Sequence, residues 1–389
     1  MRSKTQEPTI IIIPRQAAPP TDGSRGYLKK PRLLTILLSL LALVALIHLL
    51  ALMHQADPVV TPANCLGLIR ITDYAQVVHL QPQSQQMGAV QIAGQLDGGQ
   101  PAALVQVMNT SHALDVYVFG CTTRQRGPEL TTLFSQHSLI QGTATISSAN
   151  TLITGELDTT LSPQAAALLQ PQQQNIYREY NWQNGRFAQV SFPGLYPVTS
   201  RSEAEALQQN ANSGQSVPWS DPLTTAEQMA KDIFRWPSLS MQDSVLSNNG
   251  TTAQVQLVQQ NPQMQVTVIL QRLVQQNKTG LWFVTQAQTS GITLTRPQAP
   301  GVLTSPTTIN GSAALADGQT TAVLFDHTLM PLVLLNNPTL SVDTNGAYTG
   351  MLFYTNAVQN QPGLLLIQSV PPSGSSEAGQ LLLKSVILG

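Results

Sequence analysis

Charge is scarce in this chain. Asp, Glu, Lys and Arg make up 10% of its 389 residues, against about 25% in an average soluble protein. The scarcity is uneven. Seven of the 19 basic residues and two of the 20 acidic ones fall in residues 1–32. The rest of the chain carries 12 basic and 18 acidic residues, a net charge of −6. A surface of that sign has no basic patch to hold phosphates, so no nucleic-acid partner is expected. Solubility must come from Gln, Asn, Ser and Thr, which are abundant from Gln81 onward. Such a surface changes little with pH and suits an exposed exterior.

Cysteine is equally scarce. Only Cys65 and Cys121 occur, too few and too far apart for a thiolate zinc site. In an oxidising compartment they can bridge, and closing that loop stabilises by about 4 kcal/mol in the chain-entropy model. Two buried free thiols are the alternative. The histidines at 48, 54, 79, 112, 137 and 327 show no His-x-His or His-Glu-x-x-His spacing. There is no Gly-x-Ser-x-Gly elbow and no phosphate-cradling glycine loop. His112 and Asp115, beside Cys121, come nearest to a constellation, and polarity of a surface loop explains them. No catalytic residue, metal ligand or cofactor-binding residue is expected. A triad assembled in space from distant residues is the alternative that sequence leaves open.

One long apolar run stands against this polar background. Leu33–Met53 is 21 residues without Asp, Glu, Lys or Arg. As a helix it spans about 31 Å, the thickness of a bilayer hydrocarbon core. Lys29, Lys30 and Arg32 precede it, and basic residues beside a span are retained in the cytoplasm. The run exceeds the ~7–15 residues of a cleaved signal, and Leu52-Met53-His54-Gln55 lacks a small-x-small cleavage site. The expectation is an uncleaved single-pass anchor in the cell membrane, with the lipid bilayer as partner of 33–53. The disordered basic tail 1–32 is then cytoplasmic and everything after the span extracytoplasmic. His48, near the outer end of the run, reads as an interfacial residue without a partner charge.

Three blocks follow the run. Residues 64–176 show short β-type stretches at Leu66–Thr72, Val77–Leu80, Ala89–Ala93, Ala102–Met108 and Leu114–Phe119. They imply a β-rich domain of unassigned fold. Weaker strands to Leu157 and a short helix at Ser162–Leu169 complete it. Residues 177–219 form a connector dense in aromatics, with Ser200-Arg201-Ser202-Glu203 as a capping box for a helix to Ala211. Arg178, Glu179, Arg201, Glu203 and Glu205 concentrate charge here. They read as a solvated helix face with local ion pairs, the rival being a carboxylate pair for acid–base work.

Residues 220–296 open with Asp221-Pro222, a cap followed by a favourable first helical residue. Leu223, Ala226, Met229, Ala230, Ile233 and Phe234 fall on one helical face, and Pro237 ends it. Four strands between Gln242 and Gln288 alternate apolar and polar residues, which predicts an α+β layer. The Asp221-Pro222 start, Phe234-Arg235-Trp236 and Leu281-Trp282-Phe283-Val284 resemble a cystatin-like or nuclear-transport-factor-like module. The tryptophans at 182, 219, 236 and 282 are expected to anchor cores, with pocket lining as the other use.

Residues 300–389 carry seven short strand runs, including Leu329–Leu335, separated by turn signals, which predicts a β-sandwich. Ser305-Pro306-Thr307-Thr308-Ile309-Asn310-Gly311-Ser312-Ala313, then Ala347–Phe353, Gln361–Leu365 and Ser373-Gly374-Ser375, resemble the bacterial spore-germination immunoglobulin-like domain. That family has no catalytic residues to transfer. The resemblance implies an envelope or interaction module linked to sporulation or germination.

The fold class expected is thus a single transmembrane helix followed by mainly-β and α+β external domains, ending in an immunoglobulin-like β-sandwich. The function expected is non-catalytic binding at the bacterial cell envelope, with an unknown envelope protein or cell-wall glycan as partner. A single-span sensor signalling through the tail, and an enzyme with a dispersed site in 64–176, are the alternatives.

Overall fold

Strands dominate the computed structural model, which describes residues 64–389 without 98, 125–126, 239–240, 299–300, 316, 337–338 and 356–357. The tail 1–32 and the apolar run 33–53 lie outside the described residues. The expected fold class, with its transmembrane helix, does not hold for the described residues. Among the described residues the chain is mainly β, in large antiparallel sheets, and no helix is long and apolar enough to cross a membrane. The physical reason is periodicity. Apolar residues from 64 onward recur at a spacing of two, which makes strands, and the helices are short and amphipathic.

The first sheet comprises β1 (Gln85–Met87), β2 (Gln91–Asp97), β3 (Gln100–Asn109), β4 (Ala113–Arg124) and β5 (Gly127–Ile140). Its path runs β1-β3-β4-β5, with β2 also on β3. Both faces of β3 and β4 are covered. Ala102, Leu104, Leu114, Val116 and Val118 enter one core, and Ala103, Val105, Phe119 and Cys121 enter another. Helix α1 (Cys65–Ile71) packs Ile69 into the second core, and α2 (Tyr74–Val77) adds Tyr74. Leu66–Thr72, expected as a strand, is therefore mostly helix. Asn64 explains the start, because its side chain accepts from the Gly67 amide at 2.8 Å.

A four-stranded sheet follows in sequence order, from β6 (Thr143–Ile146), β7 (Leu152–Leu157), β8 (Asn175–Gln183) and β9 (Arg186–Val190). Helix α3 (Pro163–Leu168) links β7 to β8, capped by Ser162. Helix α4 (Arg201–Asn212) begins at Ser200, whose hydroxyl accepts from the Glu203 amide at 3.3 Å. Helix α5 (Pro222–Asp232) begins at Asp221, which accepts from the Thr224 amide at 2.8 Å.

The third sheet has twelve strands. They are β10 (Met241–Asn248), β11 (Thr252–Gln260), β12 (Gln263–Gln271), β13 (Phe283–Gln288), β14 (Ile292–Arg296) and β15 (Val302–Leu303), then β16 (Thr307–Ala313), β17 (Gln319–Phe325), β18 (Thr339–Val342), β19 (Ala347–Leu352), β20 (Gln361–Val370) and β21 (Gln380–Leu388). The path β10-β11-β12-β13-β21-β20-β17-β18-β19-β16-β14 crosses from 241–288 into the C-terminal strands at Ala287 opposite Leu383. Residues 329–335 make only isolated bridges at Pro331 and Leu334 and no strand of their own.

Strands β20 and β21 form the spine of this sheet. Leu364, Leu366, Leu381 and Leu383 face a core shared with α5 and β11–β13, while Leu365, Ile367, Leu382 and Val386 face Ile309, Tyr348 and Leu352. A strand covered on both faces reads as a continuous apolar run, which is why Leu364–Ile367 and Leu381–Leu383 do not alternate with polar residues.

Candidate functional site

The connector between β9 and α5 holds the chemistry. The loop after β9 carries Tyr196, Pro197 and Val198, and the turn Val217–Ser220 brings Trp219 against the Tyr196 ring. Together with α4, α5 and residues 170–173 and 328–330 they line an open cavity of about 550 Å³. Such a volume is in the range of small-ligand pockets.

Its wall is apolar and aromatic. Val198, Leu207, Val217, Trp219 and Leu329 line it. Tyr196 and Trp219 meet edge to face, with centroids 5.3 Å apart and ring planes at 90°, a favoured aromatic geometry. Its polar groups include five neutral amides, Gln170, Gln172, Gln173, Asn210 and Gln215. Each amide both donates and accepts.

Asp232, Glu203 and Arg235 join the Tyr196 phenol as ionisable groups of the lining. Asp232 accepts from the Tyr196 hydroxyl at 2.6 Å through Oδ2 and from the Gln228 amide at 3.1 Å through Oδ1. Burial, then this contact with Asp232, raises the Tyr196 pKa far above the ordinary phenol range, so the hydroxyl stays a donor. Glu203 is 3% exposed and accepts from the Ser200 hydroxyl at 2.6 Å. Burial pushes its pKa up to about 8, with the Ser200 contacts opposing the rise. At neutral pH Glu203 is therefore mainly a neutral acid. Arg235 supplies the cation, from a left-handed backbone position (φ 60°) just after α5.

Strand β8 carries two further buried charges outside the cavity lining. Arg178 pairs with Glu156 at 2.7 Å and donates to the Gln359 carbonyl at 2.9 Å. Glu179 pairs with Arg201 at 2.6 Å. These side chains were expected on a solvated face, yet Arg178, Glu179 and Glu203 are all buried. Residues 178 and 179 point to opposite sides of β8 by strand geometry, and both sides are covered. No pattern in the sequence distinguishes this from an ordinary charged strand.

His327 is the buried member of the described histidines; His79, His112 and His137 are exposed. Its Nδ1 lies 2.8 Å from Gln361 Oε1 and its Nε2 3.7 Å from Asp158 Oδ2. These contacts link the chain just after β7 to the loop after β17 and to β20. Asp115 does not meet His112. It accepts from the Ser138 amide at 2.8 Å and lies 3.6 Å from the exposed His137. Cys65 and Cys121 form a disulfide joining α1 to β4, with Cα atoms 5.5 Å apart. Among the described residues there is no group of three or more His, Cys, Asp or Glu placed to hold a metal ion.

The tryptophans divide in use. Trp236 and Trp282 are buried in the core under α5, Trp182 packs on Phe187 at 5.1 Å, and Trp219 lines the cavity. No protein-family model matches this chain, and no curated protein matches it in sequence.

Proposed function

We propose that this chain is a membrane-anchored extracytoplasmic protein whose modules bind a partner at the cell envelope without catalysis. The observation that carries the reading is the cavity at Glu203, Trp219 and Asp232. It joins an aromatic wall to amide side chains that can both give and accept hydrogen bonds. The Asp232 oxygens are already occupied by Tyr196 and Gln228, which suits a fixed acceptor better than a mobile base. The Cys65–Cys121 disulfide supports an oxidising compartment. The apolar run 33–53 behind a basic tail supports attachment at the membrane with the N-terminus inside. The likeness of 300–389 to the spore-germination immunoglobulin-like domain supports a link to sporulation or germination.

Protease treatment of intact cells tests the placement. Digestion of residues after 64 from outside, with the tail protected, is the expected result, and protection of the whole chain defeats it. Deleting residues 1–28 should leave partner binding and its cellular effect intact. Loss of the effect with binding preserved would favour a sensor instead.

A further inference from the structure

We propose that the cavity takes an uncharged saccharide, with the carbon–hydrogen face of a sugar unit against the Trp219 side of the wall and its polar edge among the amides. This rests on reading the cavity as the recognition site, and it names the ligand class. Three features of the lining select it.

The first is charge. Asp232 and Arg235 oppose each other in sign, and Glu203 is mainly protonated at neutral pH because burial raises its pKa. An anionic ligand meets the Asp232 carboxylate, and a cationic one meets the Arg235 guanidinium. Neither gains a net field. A neutral ligand pays no such penalty, and the bound state leaves no ligand charge buried without a partner.

The second is hydrogen-bond type. Gln172, Gln173, Asn210 and Gln215 each present both a donor and an acceptor. Hydroxyl groups have the same dual character, so each can be satisfied in either sense. The Glu203 carboxylic acid adds a buried donor or acceptor at the base of α4. Its Oε2 already accepts from Ser200, which fixes the side chain before any ligand arrives.

The third is shape. Sugars pair a polar rim with an apolar face, and aromatic rings attract the slightly positive hydrogens of that face through their negative π surface. Trp219 and Leu207 supply the apolar side of the same cavity that carries the amides. An extended peptide would instead need a free backbone edge to pair with, and the cavity is bounded by side chains of helices and loops.

Binding of neutral oligosaccharides to the purified full-length chain tests this, by calorimetry and by quenching of tryptophan fluorescence. The probes are an N-acetylglucosamine trimer and a glucose trimer, with trilysine and triglutamate as charged controls. At least one sugar should bind, at least tenfold more tightly than either charged peptide. Trp219→Leu should weaken it at least tenfold, and Asn210→Ala, at a half-exposed rim position, at least threefold. Trp182→Leu, away from the cavity, should leave the affinity unchanged. Circular dichroism matching the parent shows that each variant folds. Tighter binding of a charged peptide, no sugar bound at all, or Trp219→Leu binding as well as the parent overturns the proposal. Release of new reducing ends from a bound sugar supports the ligand class while defeating the non-catalytic reading of the site. Protection of the whole chain from external protease defeats the envelope placement alone.

Discussion

Arg201 Nε donates to Glu179 Oε1 at 2.6 Å, and the Thr151 hydroxyl donates to the same oxygen at 2.6 Å. The pair ties the first turn of α4 to β8 in a place where the side chains are 13% and 7% exposed. Arg201 also sits over the Phe192 ring, 5.3 Å from its centroid. The Glu179 Oε2 atom has no hydrogen-bond partner among the described residues. The carboxylate therefore depends on Arg201 to offset its burial. Removing the guanidinium with Arg201→Met should destabilise by about 3–5 kcal/mol, because an uncompensated charge stays buried. Adding Glu179→Leu to that variant should recover most of the loss. Denaturant unfolding of the single and double variants measures both. Equal stability of parent and Arg201→Met would show that the pair contributes nothing.

The contrast between this pair and the helices shows what a sequence can disclose. Helix α5 was legible because its signals are local. Asp221 caps it, Pro222 fits its first position, and Met229, Ala230 and Ile233 land on one face. Helix α4 was legible for the same reason, through Ser200 and Glu203. Helix α1 was not, since Leu66–Ile71 has a composition that suits a strand equally well, and its tertiary neighbours Val105 and Phe119 decide the matter. Residues 329–335 erred the other way. Their apolar side chains reflect packing of Leu332 and Leu334 on the C-terminal core, not a ladder of their own. The cavity was the least legible feature. Its residues come from four separate stretches between Gln170 and Met330, so no spacing along the chain encodes them. Only the aromatic density of the connector hinted at it, and that hint could not single out Trp219 among the tryptophans.

The disulfide makes a second prediction. Cys65 and Cys121 are separated by 56 positions, so the bridge removes a long loop from the unfolded ensemble. The chain-entropy model assigns about 4 kcal/mol to a loop of this size. The double variant Cys65→Ser/Cys121→Ser should lower the denaturant midpoint accordingly, and the first sheet should be the part that loosens. Unreduced parent should titrate no free thiol under denaturing conditions. Two free thiols would mean that the bridge does not form.

Glu203 gives stability a pH dependence of definite sign. Its folded pKa is pushed from 4.5 up to about 8 by burial. The folded state then holds the proton more tightly than the unfolded one. Where that holds, stability falls as pH rises. The contribution is fully present below about pH 4.5 and declines as pH rises through about 8, above which both states are ionised. Glu203→Gln keeps the shape and the neutral state but cannot titrate. Its stability should exceed that of the parent at pH 8, with the gap closing towards pH 5. Parallel stability curves over this interval would show that Glu203 is ionised in the folded protein.

Gly311 makes the sharpest packing prediction, because its neighbours leave no room for a side chain. It lies in β16 opposite Leu294 of β14 and Tyr348 of β19. A Cβ placed there would fall within contact distance of the Thr293 carbonyl and the Tyr348 hydroxyl. Those two groups are themselves bonded, with the tyrosine donating to the carbonyl. Burial raises the Tyr348 pKa, so the hydroxyl remains protonated at any ordinary pH. An alanine at 311 must push the tyrosine aside or spread β14 from β16. Gly311→Ala should therefore cost about 1–3 kcal/mol from overpacking, and about 1 kcal/mol more if the tyrosine bond is lost. Gly94→Ala is the matched control, since a Cβ there meets nothing within 4 Å. Thermal unfolding should show a clear drop for the first substitution and almost none for the second. Were both to behave alike, the tyrosine would have to lie elsewhere than across Gly311.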